Sequence, residues 1–118
     1  MYMDNLTDKE LMKLVTGKNT GALKILYHRY EKKIFNFILR YSGSRGVARE
    51  LIQETFTRLW LSAHTFDQKK GNFGGWLYTI ALNITRNEMS KKEYTYQYLD
   101  AEEDRDWQRR RMIGSILK

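Results

Sequence analysis

Between residues 23 and 41 large apolar side chains return every three or four positions: Leu23, Leu26, Tyr27, Tyr30, Ile34, Phe37, Ile38 and Tyr41. That spacing gathers them on one broad side of a long helix, because a helix turns once in about 3.6 residues. A stripe so wide has to be covered, and the remaining sequence supplies only more helices to cover it. Its aromatics therefore read as core, not as a ligand box. Strand signals are nearly absent; the only β-leaning run is Tyr94-Thr95-Tyr96-Gln97-Tyr98, directly behind a helical pattern.

The other elements follow from caps and breaks. Thr7 with Glu10 is a capping-box pattern that opens a short helix through about Val15, with Leu11, Leu14 and Val15 inward. Gly17 to Gly21 is the expected break before the second helix, which runs from about Ala22 to Tyr41. Ser42-Gly43-Ser44 ends that helix and offers a cap to a third, extending to about His64. A loop from Thr65 to Gly71 or beyond leads to a fourth helix, roughly Gly74 to Tyr94. The expected fold is all-α: a compact bundle of about four helices over residues 1–98, with a charged tail over 99–118, flexible or partly helical.

Charge is distributed unevenly. The 118 residues carry a net charge of +7, yet residues 100–118 hold five acids and five bases, so the excess lies in the helical part. A compact basic domain attracts polyanions, of which nucleic acid is the commonest in the cytosol. Cysteine is absent, which excludes disulfides and thiolate metal sites. No run approaches the roughly 18 apolar residues that span a bilayer, and Asp4, Asp8 and Glu10 do not suit a signal peptide. A cytoplasmic protein without membrane insertion is expected. His28 and His64 are the only histidines, and neither a zinc-protease nor a P-loop motif occurs, so neither catalysis nor a cofactor is expected.

Two segments carry the candidate chemistry. On the third helix, Ile52, Thr55, Phe56, Leu59 and Ala63 share one side, while Glu50, Gln53, Glu54, Thr57 and Leu61 fall opposite, with Trp60 at the margin. An ordinary solvated face has no need of Trp60 and Leu61. The loop that follows contains Lys69-Lys70 for phosphate, glycines that admit a close backbone, and polar side chains for base edges. Phe66, Phe73 and Trp76, which flank it, read better as buried anchors. On the fourth helix Trp76, Leu77, Ile80, Ala81 and Ile84 lie on one side, and Thr79, Asn83, Arg86 and Ser90 form a polar ridge. Asn and Arg are the side chains that form paired hydrogen bonds with bases.

Glu50-Leu51-Ile52-Gln53-Glu54 with Phe56 and Trp60, then Phe66-Asp67, then Trp76-Leu77-Tyr78, Ile80-Ala81 and Asn83 resemble, in order and spacing, the second conserved domain of bacterial sigma factors of the extracytoplasmic-function group. The likeness covers about Leu6 to Lys92. It implies a transcription initiation factor that binds core RNA polymerase and recognises and melts the minus-ten promoter element, holding a base flipped from the non-template strand. By this resemblance Thr65, Asp67, Gln68, Lys69, Lys70, Asn72, Thr79, Asn83 and Arg86 face DNA. Glu50, Gln53, Glu54, Phe56 and Trp60 face the clamp helices of the largest polymerase subunit. An anti-sigma factor is a further partner such proteins take, and the tail matches a linker toward a second DNA-binding domain. From Phe66 to Trp76 the chain is about one residue longer than the family pattern, with Gly74-Gly75 in place of bulkier residues. The competing expectation is a helical protein-interaction module whose positive charge serves solubility.

Overall fold

The computed structural model describes residues 2–95 together with Gly114, Ile116 and Leu117, the side chains of residues 2 and 92–95 excepted. A 3-10 turn, Tyr2–Asn5, precedes four helices: α1 (Asp8–Thr16), α2 (Thr20–Ser42), α3 (Arg45–Ser62) and α4 (Phe73–Thr95). A second 3-10 turn, Ala63–Thr65, extends α3. Among the described residues there is no strand, and no helix is long and apolar enough to cross a membrane. The expected all-α bundle of four helices is the fold observed.

Local chemistry sets the helix ends. Thr7 Oγ1 accepts from the Glu10 N–H at 3.1 Å while the Glu10 carboxylate accepts from the Thr7 N–H at 3.2 Å, so the capping box forms as expected. Those bonds from Thr7 hold the Glu10 carboxyl below its ordinary value. At the other end of α1 the break differs from expectation. Gly17 keeps a negative φ, and Lys18 takes the left-handed conformation at φ 67°. The Asn19 N–H reaches Leu14 O at 2.9 Å and the Lys18 N–H reaches Val15 O at 2.8 Å. This is a Schellman closure with lysine where glycine is usual. Asn19 then caps α2 by accepting from the Ala22 N–H at 3.0 Å, so the second helix starts two residues early and Gly21 lies inside its first turn.

Gly43, left-handed at φ 70°, closes α2 by donating to Leu39 O at 2.8 Å, and Ser44 caps α3 by accepting from the Val47 N–H at 3.2 Å. Tyr94 and Thr95 continue α4; the rest of that β-leaning run and the domain boundary at 98/99 lie outside the described residues.

α2 is the centre of the bundle, packed against α1, α3 and α4, with α3 also against α4. Leu11, Leu23, Leu26, Ile34, Ile38, Leu51, Phe56, Leu59 and Leu77 are fully buried. Each contributes about 1.5–3 kcal/mol relative to exposure, which makes this layer the main stabilising term. The stripe on α2 is narrower than its sequence pattern. Tyr27, Tyr30 and Phe37 are half-buried at its edges, and Tyr41 is 46% exposed where the helix outruns its neighbours. On α1 the buried residues are Leu11, Met12 and Val15, with Leu14 only half-buried, so the inward face is rotated toward Met12. Arg29 ties α2 to the N-terminus through Asp8 at 2.9 Å and the carbonyls of Asp4 and Leu6 at 2.8 and 2.7 Å. Tyr30 donates to the other Asp8 oxygen, and burial together with that bond pushes its phenol up to about 12.

Candidate functional site

The loop between α3 and α4 rests on an aromatic floor. The ring of Phe73, at the first turn of α4, meets Tyr30 edge-on at 5.2 Å and Phe66 at 5.9 Å, and Phe66 lies 5.1 Å from Trp76. Phe73 is buried, Phe66 and Trp76 are half-buried against the core, and the loop between them is pinned at both ends. These three aromatics act as the anchors that their sequence setting suggests.

Within the pinned loop several candidates also shape the backbone. Asp67 Oδ1 accepts from the Lys69 N–H at 2.9 Å and its carbonyl accepts from the Lys70 N–H at 3.0 Å, an Asx-type turn that holds the two lysines outward. Thr65 donates its hydroxyl proton to Ser62 O at 2.6 Å. Asn72 caps α4, its Oδ1 accepting from the Gly75 N–H at 2.7 Å and its carbonyl from the Trp76 N–H at 3.2 Å. The resemblance has Asn72 face DNA; its side-chain oxygen is committed to the helix, which leaves only the amide N–H groups for a ligand. Gln68, Lys69 and Lys70 are exposed, and among the described residues their side chains form no hydrogen bond or ion pair.

From Asn72 the ridge on α4 continues at helical spacing through Thr79, Asn83, Arg86 and Ser90, all exposed. Thr79 donates back to Gly75 O at 2.9 Å. Asn83 and Arg86 have no partner among the described residues, so their hydrogen-bonding groups point to solvent uncommitted. The inward side of α4 buries Leu77, Ala81 and Ile84, with Thr85 among them, its hydroxyl donating to Ala81 O at 2.7 Å.

On α3 the structure divides the candidates. Glu50 is exposed and Gln53, Glu54 and Trp60 are half-buried, so these four present surface. Phe56 does not. It is fully buried with its ring edge-on to Tyr27 at 5.0 Å, and a side chain without accessible surface cannot touch a partner; Phe56 supports the face from beneath. Thr57, placed on the outer face by periodicity, is 1% exposed, with its hydroxyl satisfied by Gln53 O at 2.7 Å. Trp60 packs against the core, with Lys18 Nζ 4.9 Å from its ring centroid. That pairing offsets part of the cost of a left-handed lysine at the end of α1, and no local sequence signal marks it. Leu61, 45% exposed, remains on the outer face with Glu50 and Glu54. The buried Gly114 lies so close to Gln53 that a Cβ there would meet its amide at 3.1 Å, and Leu117 joins the core at 7% exposure. The end of the described chain thus packs beside the α3 face.

Residues 26–94, from the second turn of α2 nearly to the end of α4, match the family model for sigma-70 region 2. The chain belongs to this family. Among curated relatives, the ECF RNA polymerase sigma factor SigW of Bacillus subtilis is 34% identical over 94 residues, covering 80% of this chain and 49% of the relative. BldN of Streptomyces coelicolor, also an ECF sigma factor, is 29% identical over 85% of this chain and 40% of its own length. The ECF sigma-E factor of Haemophilus influenzae is 31% identical over 74% of this chain and 45% of the relative. No solved structure gives a significant match. The chain is therefore a sigma-70 region 2 domain similar to those of ECF sigma factors, and it spans less than half the length of these relatives. Two of the four helices, α3 and α4, carry every candidate outside the loop; α3 lies wholly inside the matched segment, and α4 does so up to its last residue.

Proposed function

We propose that this domain docks on core RNA polymerase through the outer face of α3 and recognises and melts the minus-ten promoter element with the 66–72 loop and the α4 ridge. The observation that carries this reading is the continuity of two uncommitted surfaces: Lys69 and Lys70 held outward by the Asp67 turn, and Asn83 and Arg86 exposed on the helix that starts where the loop ends. The lysines bind phosphates of the separated non-template strand, Gln68 and Asn83 bond base edges, and Arg86 takes a phosphate or a base. No covalent chemistry is involved. Bases captured in the loop offset the few kcal/mol that unstacking each one costs.

On α3, Glu50 and Glu54 meet basic residues of the clamp helices of the largest polymerase subunit, while Gln53, Trp60 and Leu61 supply contact area. Residues 1–98 form the working domain and 99–118 a linker whose described end, Gly114 and Leu117, packs back onto it, in a protein that acts in the cytoplasm and is open to control by an anti-sigma factor.

Binding of a fluorescent non-template oligonucleotide, titrated against salt, tests the DNA half. Each phosphate contact on a single strand contributes about −0.7 to the slope of log affinity against log salt, so Lys69→Ala with Lys70→Ala should flatten the slope by about 1.4. A pull-down of core polymerase, with and without promoter DNA, tests the other half. Polymerase capture without single-strand binding at low salt returns the domain to a protein-interaction module.

A further inference from the structure

The first helix was assigned no ligand, yet one of its sides opens onto the loop. Lys9, Lys13 and Thr16, at four- and three-residue steps on α1, line a cleft of about 70 Å³ whose opposite wall is Ala63, Phe66 and Gln68. Lys9, Lys13 and Gln68 are exposed. The cleft lies at the 63–68 end of the loop, and the α4 ridge starts at the other end, at Asn72.

Charge on α1 is sorted in the same sense. Asp8 is bound by both Arg29 and Tyr30, on the side facing α2. Glu10 is folded back onto the Thr7 backbone and hydroxyl at 3.2 and 2.9 Å, although it still feels the field of both lysines. Across the cleft, Asp67 spends one oxygen on the Lys69 N–H. Lys9 and Lys13 form no ion pair with any of these acids. Two cations one helical turn apart, across a cleft from the half-buried ring of Phe66, suit a sugar-phosphate backbone with an apolar surface beside it.

We propose that α1 is part of the nucleic-acid path: the single strand leaving the loop on the side away from α4 crosses this cleft, with Lys9 and Lys13 each binding a phosphate. The inference rests on the reading of the loop as a single-strand site and extends it to a third element, giving the order α4 ridge, loop, α1. Gln68 is the residue shared by loop and cleft.

The test compares Lys9→Ala with Lys13→Ala, Lys69→Ala with Lys70→Ala, and the unaltered chain, on a short oligonucleotide and on versions lengthened by a few nucleotides at either end. Fluorescence anisotropy is read across a salt series. The unaltered chain should gain affinity from lengthening at one end only. The α1 double variant should lose that gain and flatten the salt slope on the longer strand by about 1.4, the value for two phosphates, while binding the short strand as before. Both lysines are exposed, so an unchanged melting curve is expected to accompany the change. If lengthening helps the α1 variant as much as the unaltered chain, α1 is not on the path, though loop variants that weaken the short strand would leave the loop reading standing. If no single strand binds even the unaltered chain at low salt, both readings fall together.

Discussion

On α3 the candidate residues are built into the bundle, whereas on α4 they stand clear of it. Trp60 packs on the core under Lys18, Gln53 lies against Gly114, and Phe56 directly beneath is fully buried against Tyr27. Asn83 and Arg86, by contrast, are exposed and touch no partner among the described residues. A surface that docks on a protein gains from rigidity, since ordering a loose side chain costs affinity. A ridge that reads bases needs its donors and acceptors unspent. Substitutions on α3 should therefore appear in stability as well as binding, and those on α4 in binding alone.

The sharpest way to break this contrast is Phe56→Ala. Removing a fully buried ring should cost about 3–5 kcal/mol of stability through the cavity it leaves. In a domain this size each kcal/mol moves the melting point by about 4–8 °C, so circular dichroism would show a large fall. A melting point near that of the unaltered chain, with polymerase binding lost, would mean that Phe56 turns outward. Trp60→Ala comes next. It should weaken polymerase binding by about 2 kcal/mol or more, the scale of an interface anchor. It should also lower the melting point modestly, through a lost cation–π contact worth about 0.5–1 kcal/mol. Titration of core polymerase beside a melting curve separates the two effects.

How far the sequence discloses these differences depends on whether depth or only direction was at issue. Helical spacing and caps carry direction: Thr7, Ser44 and Gly43 stand where those signals put them, and so do the four helices apart from the earlier start of α2. Depth is not encoded in spacing. Thr57 is polar and lies opposite the apolar stripe, but its hydroxyl is satisfied by the carbonyl one turn back, so burial costs it little. Phe56 belongs to the family's motif, and a motif places a residue along the chain without saying how far it lies below the surface. Asn72 is ambiguous for another reason: asparagine serves equally as a helix cap and as a reader of adenine, and only the 2.7 Å bond to the Gly75 N–H assigns its oxygen to the cap.

Asn83→Ala sharpens the other side of the contrast. It should reduce discrimination between a preferred minus-ten strand and a scrambled one by about 1–3 kcal/mol, leaving the salt slope and the melting point unchanged. Competition binding with the two oligonucleotides measures it. Equal losses on both strands would make Asn83 a positioning contact, and a shifted melting point would place α4 with α3, as a surface bound up with the fold.

The smallest effect belongs to Lys18, where backbone and side chain oppose one another. A lysine at φ 67° carries a left-handed penalty of about 1–2 kcal/mol, while its ammonium over Trp60 returns about 0.5–1 kcal/mol. Lys18→Ala keeps the penalty and loses the contact, so it should destabilise by about 0.5–1 kcal/mol. Lys18→Gly also loses the contact but is freed of the left-handed penalty, against an extra unfolded-state entropy of about 0.4–1 kcal/mol, so its net change should lie within a few tenths of zero. The ordering, glycine variant above alanine variant in urea midpoint, is the measurable outcome. If alanine matched glycine, the left-handed turn would be strain-free in this setting. If both matched lysine, the ammonium would contribute nothing to holding Trp60, and the outer face of α3 would be as independent of the fold as the ridge on α4.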